Sequence, residues 1–319
     1  MTAPKLRAIT FRSNGKGLGM LQVGLAALVS LLALAAPAAA RDCDRTCTLE
    51  VSDAVLTALQ TGQFGKLLPR SVRMTENGRD IRPADSQLRA IKKVTYLHAF
   101  TEPLGGAAGF NGAAGAYGGD AVFSMRLKLK GDQVAEVETL VVRRTEALTF
   151  SPETLSANPD RDQILPPEAR ASRADVIAIT GAWLDGFAPG QNAETASTSD
   201  CDLTENGARS TSCRNIASLR GVTLIRDRRW PLVDETRGLV WVFALAEIAE
   251  ATEVAVGRPS NRSARRAPHS VRMGALFRVE AGRINAIELI LRDAPPGARS
   301  GWAPPKAKKV PARTSLPIN

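Results

Sequence analysis

The chain repeats itself. Thr75-Glu76-Asn77-Gly78 recurs as Thr204-Glu205-Asn206-Gly207. Upstream, Val55–Gln63 lines up with Trp183–Gln191. Downstream, Leu127-Lys128-Leu129 through Val134, Val137 and Glu138 matches Phe277-Arg278-Val279 through Ile284, Ile287 and Glu288 without a gap. Blocks in one order at nearly constant offsets mark a duplicated folding unit. Two copies are too few to stack as a solenoid, which needs about three repeats to bury its faces. The duplication therefore predicts two small domains, each with its own core.

Each copy reads as α+β. Leu49, Val51, Val55, Leu56 and Leu59 fall near helical spacing over 48–61, with Gly62 as the stop. Residues 173–187 behave alike, through Val176, Ile177, Ile179, Trp183, Leu184 and Phe187. Each helix is followed by the Glu-Asn-Gly segment, a strong hairpin signal because Asn and Gly tolerate positive φ. Both copies close on alternating strands, Phe123–Leu129 with Val134–Val142, and Leu239–Glu247 with Val271–Glu280 and Ile284–Arg292. Helix, hairpin, then antiparallel sheet is an α+β plan. Thr145–Ser172 holds Pro152, Pro159, Pro166 and Pro167 and little periodicity, so it reads as a linker packing on the surface. Leu104–Gly119 is mostly Gly and Ala and reads as a mobile loop. The expected boundaries are 1–40, 41–144, 145–172, 173–302 and 303–319.

The first of these segments looks like an export signal. Lys5, Arg7, Arg12 and Lys16 precede an apolar run from Leu18 to Ala36, and Ala38-Ala39-Ala40 is a small-residue cleavage site. Cleavage near Arg41 is expected over an uncleaved anchor, because Gly and Ala dilute the run. The mature chain is then secreted or periplasmic. Removing four of the 42 basic residues leaves 38 against 32 acidic ones, a net of +6. The excess gathers at Arg258, Arg262, Arg265, Arg266 and Arg272 and in the tail at Lys306, Lys308, Lys309 and Arg313. Aromatics make up only 5% of the chain and no nucleic-acid motif is present, so these read as solvated loops and a disordered tail. Weak adhesion to an anionic envelope surface is the functional alternative.

In an exported chain, Cys43, Cys47, Cys201 and Cys213 argue for disulfides. Three pairings can be drawn. Cys201–Cys213 is favoured because it closes a short loop across the second Glu-Asn-Gly, which leaves Cys43–Cys47. Zinc does not fit, since the pairs lie far apart without histidines at ligand spacing.

Several segments carry a family resemblance. They are Cys43-Asp44-Arg45, Thr75–Gly78, Arg226-Asp227-Arg228-Arg229-Trp230-Pro231-Leu232-Val233-Asp234-Glu235 with Gly238-Leu239-Val240, Leu276–Val279 through Ile284 and Glu288, and Ser300-Gly301-Trp302. Over about residues 43–302 the chain resembles exported, functionally uncharacterised proteins grouped with SnoaL-like domains. The resemblance implies a tandem pair of cone-shaped α+β units, each with helices packed on a curved sheet around a pocket. It implies no activity, since such folds host enzymes and binders alike.

The chemistry is sparse. Aligning Val94-Thr95 with Val222-Thr223 sets His98 opposite Arg226 and Pro103 opposite Pro231. His98 is an acid–base candidate, although a lone histidine is more often structural. Alternation sends Arg226 and Arg228 to one face and Asp227 and Arg229 to the other. They form either an ion-pair network with Asp234, Glu235 and Glu288, or a pocket wall in which arginines grip an anion and Asp227 takes a proton. Trp230, Trp241 and Phe243 would supply the apolar lining and Glu288 a pocket carboxylate. No phosphate loop, metal cluster or nucleophile elbow is visible, and no cofactor is implied. The expected function is binding of a small, partly apolar molecule, mainly in the second unit, with an anionic ligand as one option. An isomerase- or lyase-type acid–base enzyme and a non-catalytic envelope scaffold are the alternatives, so catalysis stays open. The two units are expected to pack on each other.

Overall fold

A computed structural model describes residues 43–191, 196–210, 212–214, 216–249, 251–253 and 264–302. The export segment 1–40, Arg258 and Arg262, and the basic tail 303–319 lie outside the described residues. The first repeat holds α1 (Arg45–Thr61), β1 (Arg73–Glu76), β2 (Arg79–Asp80), β3 (Ile91–Thr101), β4 (Ala107–Ala116), β5 (Ala121–Lys130) and β6 (Gln133–Arg143). The second holds α2 (Arg173–Asp185), β7 (Ser197–Glu205), β8 (Ala208–Ser210), β9 (Val222–Asp234), β10 (Leu239–Ile248), β11 (Ala251–Glu253), β12 (Ala264–Arg266), β13 (His269–Glu280) and β14 (Arg283–Ala294). Strands β11 and β12 form a separate small ribbon. Among the described residues no helix is long and apolar enough to cross a membrane.

The two six-stranded sheets share one strand order, β2-β1-β6-β5-β4-β3 and β8-β7-β14-β13-β10-β9. They are mixed rather than purely antiparallel, because β1 joins β6 in parallel and β7 joins β14 likewise. The repeated Thr-Glu-Asn-Gly builds that parallel edge. Asn77 and Asn206 take positive φ of 52° and 49°. Their Oδ1 atoms accept from the N–H groups of Val141 and Leu291, both at 2.9 Å, extending the sheet by side chain. The adjoining glutamates cap the next turn. Glu76 accepts from Ser86 Oγ and Gln87 N, and Glu205 from Ala217 N and Ser218 N. The repeated motif is thus accounted for as architecture.

Both faces of each sheet are covered, so the inner strands are buried almost continuously. On one face, Val55 and Leu59 of α1 meet Phe110, Phe123 and Met125. In the second repeat Val176, Trp183 and Leu184 of α2 meet Phe277, whose ring stands edge-on to Trp183 at 5.1 Å. These side chains fill the space between helix and sheet. On the other face the sheets pack against each other through Phe100, Leu140, Leu232, Trp241, Phe243 and Ile290. The Gly/Ala run is not a loop. It is strand β4, and its small residues make room for large neighbours. A Cβ on Gly112 would lie 2.3 Å from Phe123, and one on Gly109 would lie 3.0 Å from Trp241.

The junction between the sheets has two-fold character. Register makes Gly109 the counterpart of Trp241, and these two touch. It makes Ser124 the counterpart of Gly274, and a Cβ on Gly274 would lie 2.5 Å from Ser124 Oγ. A residue meeting its own counterpart is the mark of an isologous contact. Farther out the pairing is reciprocal. Arg45, opening α1, bonds Asp234 of the second repeat at 3.0 Å, and Arg173, opening α2, bonds Glu102 of the first at 3.3 Å. The segments after β6 and β14 also cross over. Ser151 donates to Asn206 O and its carbonyl lies 2.1 Å from where a Gly207 Cβ would be, while the Arg299 carbonyl lies 2.5 Å from where a Gly78 Cβ would be. Two disulfides, Cys43–Cys47 and Cys201–Cys213, pin the start of α1 and β7 to the segment after β8.

Gly109→Val would drive a branched side chain into the Trp241 ring without touching either helix-facing core. Overpacking of this kind destabilises by about 1–3 kcal/mol. Chemical denaturation should show that loss, and an unchanged midpoint would remove the junction from its central place.

Candidate functional site

Two glutamates sit at equivalent places beside the junction, Glu138 on β6 and Glu288 on β14, each pointing at the other repeat. Glu288 accepts from Tyr96 Oη at 2.7 Å, Arg161 Nη1 at 3.2 Å and His98 Nδ1 at 3.5 Å. His98 Nε2 meets Asp162 Oδ1 at 3.0 Å, and Arg161 Nη2 meets Asp202 at 2.5 Å. Glu138 accepts from Arg126 Nε at 3.0 Å and from Arg229 Nη1 and Nη2 at 2.9 and 2.6 Å.

Sheet register shows which residues correspond. His98 pairs with Asn111 and Arg229 with Phe243, and Asn111 and Phe243 are themselves counterparts. Arg229, not Arg226, therefore stands in the place of His98. The linear alignment slips because β9 carries irregular register around Asp227, which takes a positive φ of 53°. The counterpart of Arg226 is Tyr96.

Electrostatics lock the Glu288 cluster. Burial alone would lower the His98 pKa, but the hydrogen bonds and charges of Asp162 and Glu288 reverse this and raise it from 6.5 to about 9. Burial likewise pushes Glu288 up, yet His98, Tyr96 and Arg161 bring it below the usual carboxylate value. The Tyr96 phenol is pushed up by burial and by the Glu288 charge. An imidazolium that donates both N–H groups offers no lone pair for proton abstraction.

Beside each carboxylate runs a groove. The first, about 650 Å³, is lined by Arg126, Lys128, Arg229, Glu102, Glu136, Trp230, Pro231, Trp302 and the Gly105–Ala107 turn; Glu136 pairs with Arg126 at 2.8 Å and Glu102 with Arg173 at 3.3 Å. Trp302 is held there by Arg73 and Arg126, whose guanidinium carbons lie 3.8 and 4.5 Å from its ring centroid, and by donation to Thr75 Oγ1 at 2.6 Å. The second groove, about 380 Å³, is lined by Arg161, Leu165, Asp202, Arg278 and Glu280, among others. A water-sized cavity of about 20 Å³ lies between Asn77, Glu138, Arg229, Phe243 and Arg272. Burial and the neighbouring Arg292, Arg79 and Arg226 lower the Arg272 pKa to about 10.

The residues singled out by sequence thus fall in different places. His98 and Glu288 come together in one cluster. Trp230 lines the first groove, donating to Thr180 Oγ1 at 2.9 Å. Phe243 lines the small cavity, with the Arg229 guanidinium 5.4 Å from its ring centroid. Trp241 is wholly buried between the sheets, tilted against Phe100 at 5.5 Å. Arg226 bonds Glu247, Asp227 and the Ala298 carbonyl, and Arg228 bonds Asp185 and the Ile225 carbonyl. Neither they nor Asp227 are among the groove linings above. Tyr96, Arg126, Arg161 and Asp162 were missed as site residues, and Arg229 was named only within its charged block. The repeat-equivalent strands could have pointed to Arg126 and Arg229, but nothing local marks Arg161 and Asp162 in a segment without periodicity. Among the described residues no group of His, Cys, Asp and Glu is placed to hold a metal ion.

Residues 169–291 match a family described as a domain of unknown function, DUF8021. No curated protein matches the chain. Similar solved structures include a Kribbella flavida protein assigned provisionally as a ketosteroid isomerase, with 17% identity and a TM-score of 0.25, covering 36% of this chain and 92% of that one. Another from the same organism has 14% identity, a TM-score of 0.27 and coverage of 31% and 89%. A de novo designed protein with a curved β-sheet has 12% identity, a TM-score of 0.23 and coverage of 31% and 87%. No residue role is carried across from any of them.

Raising the His98 pKa ties stability to pH. The contribution is fully present below 6.5 and is lost as pH rises from 6.5 through about 9. Unfolding free energy should fall across that window by at most about 3 kcal/mol. His98→Gln should flatten the profile there. A wild-type profile flat from neutral to mildly alkaline pH would show that the imidazole is not held charged.

Proposed function

We propose that this is an exported, secreted or periplasmic binding protein, whose ligand is a small, partly apolar and anionic molecule. The seat is the groove beside Glu138 rather than the interior of either cone, where helix side chains occupy the space. The observation that carries this reading is the groove's lining. Its volume of about 650 Å³ is in the range of small-molecule sites. It sets the half-buried indoles of Trp230 and Trp302 beside Arg126 and Lys128. Arg126 and Arg229 are held by Glu136 and Glu138, and Glu102 by Arg173, so among the described residues Lys128 is the lining cation without an ion-pair partner. Apolar walls beside that one cation fix a ligand that has one apolar part and one negative group. Two disulfides fit an extracytoplasmic setting. Binding is preferred to acid–base catalysis because the imidazolium of His98 and the carboxylate of Glu288 are spent on each other.

Native mass spectrometry of the protein purified from its exported fraction should show a bound small molecule. Lys128→Glu should remove that adduct and lower the melting temperature only slightly, because Lys128 is exposed and has no ion-pair partner among the described residues, although the new carboxylate stands opposite Glu136. An adduct that survives Lys128→Glu would place the ligand elsewhere.

A further inference from the structure

The two grooves are counterparts, but in the second the chain's own linker, through residues from Asn158 to Pro166, runs along the groove and forms one of its walls. Leu165 lies against Gly238, where a Cβ would come within 2.9 Å of its side chain, and Leu165 is 2% exposed. Gly106 is the counterpart of Gly238, since Leu129 N donates to Gly106 O as Val279 N donates to Gly238 O. Around a Gly106 Cβ there is open space. Arg278 donates to the carbonyls of Arg161 and Gln163 at 2.5 and 3.0 Å. Its counterpart Lys128 is exposed, with no such bond among the described residues. Leu165 N donates to Thr236 O at 2.9 Å, and the counterpart of Thr236 is Leu104, 90% exposed at the groove's lip. Asp162 meets His98, and Arg229 stands in that place in the first groove.

We infer that the groove beside Glu138 binds an extended acidic peptide segment of a partner protein, with an aspartate followed three residues later by a leucine, in the manner of Asp162 and Leu165 in the other groove. This rests on the reading that the first groove is the binding site, and it goes beyond that reading by adding a macromolecular ligand that carries the same apolar and anionic groups. The aspartate and the backbone carbonyls would accept from Lys128, beside the Arg229 guanidinium whose Nη atoms hold Glu138, and the leucine would cover Gly106. One feature of the internal segment does not transfer. Arg161 pairs with Asp202, whose counterpart is Arg73, and Arg126 already holds Glu138, so a cation at that position is repelled. The chain's own tail is a poor occupant for the same reason, as residues 303–319 carry Lys306, Lys308, Lys309 and Arg313 and no acid.

The probe is a labelled synthetic peptide spanning Ser156–Pro166 with Arg161→Ala, titrated by fluorescence anisotropy against the full exported chain. Saturable binding is expected well below ~1 mM, the threshold of a usable peptide contact. Lys128→Glu in the protein, Asp162→Asn in the peptide and Leu165→Ala in the peptide should each weaken it by about tenfold, a loss of about 1.4 kcal/mol. Raised salt should weaken it too. No saturation at ~1 mM, or binding indifferent to Lys128→Glu, overturns the proposal. If the peptide fails while a co-purified small molecule is still lost in Lys128→Glu, the groove is a site for another class and only the peptide inference falls. Binding seen only after truncation beyond Trp302 would assign the groove to the chain's own tail, and would equally overturn it.

Discussion

Everything in this molecule hangs on the contact of one sheet face with the other. Each sheet has a helix on one side and the second sheet on the other, so neither repeat has a free apolar face. The closest approach is made by glycines. Gly109 admits the Trp241 ring and Gly274 admits Ser124. Each pair unites a residue with its repeat counterpart, so the contact keeps the geometry of a symmetric dimer while its sequence has diverged. Tryptophan against glycine at one point, and serine against glycine at another, give complementary volume where two identical large residues would collide.

That geometry also explains where the charges sit. Glu138 and Glu288 come from equivalent strands and are each gripped by a cation from the other repeat, Arg229 or His98. A buried carboxylate without such a partner would be strongly destabilising. The two repeats have answered this need with different chemistry. The first uses two arginines from strands, Arg126 and Arg229. The second uses His98, Tyr96 and an arginine borrowed from the linker. Because Leu276 stands where Arg126 stands in the first repeat, Glu288 has no strand cation of its own repeat and recruits Arg161 instead.

Much of the fold was legible in the sequence, and the site much less so. The repeated Thr-Glu-Asn-Gly, with its positive-φ residues, announced both hairpins and their equivalence, and the apolar periodicity of Val55–Leu59 and Val176–Leu184 announced both helices. The Gly/Ala run misled because composition speaks of local freedom, whereas β4 is fixed by what lies above it, Trp241 and Phe123. Its glycines are small for the sake of neighbours distant in sequence. The parallel joining of β1 to β6 is equally non-local. His98 was set opposite Arg226 instead of Arg229 because irregular register around Asp227 moves the alignment of β3 and β9 by three residues, from Val222 to Ile225 opposite Val94. Arg161 and Asp162 carry no pattern at all, since their partners lie on other elements and only the crossing of the linker brings them there.

The asymmetry of the grooves follows from chain order. A segment that leaves the first sheet at Arg143 must travel to α2 at Arg173, and the path across the junction passes over the second repeat's Asn206-Gly207 turn and along its groove. It is tied there by Thr149, Ser151, Arg161 and Leu165. The segment that leaves the second sheet at Ala294 makes the matching crossing, over Asn77-Gly78, and Trp302 anchors it against Arg73 and Thr75. The sequence beyond it is basic where the internal linker is acidic. Duplication thus creates two equal grooves, and covalent fusion makes them unequal. One is walled by a segment whose charges complement it. The other keeps Lys128 exposed in the place that Arg278 takes in the second repeat.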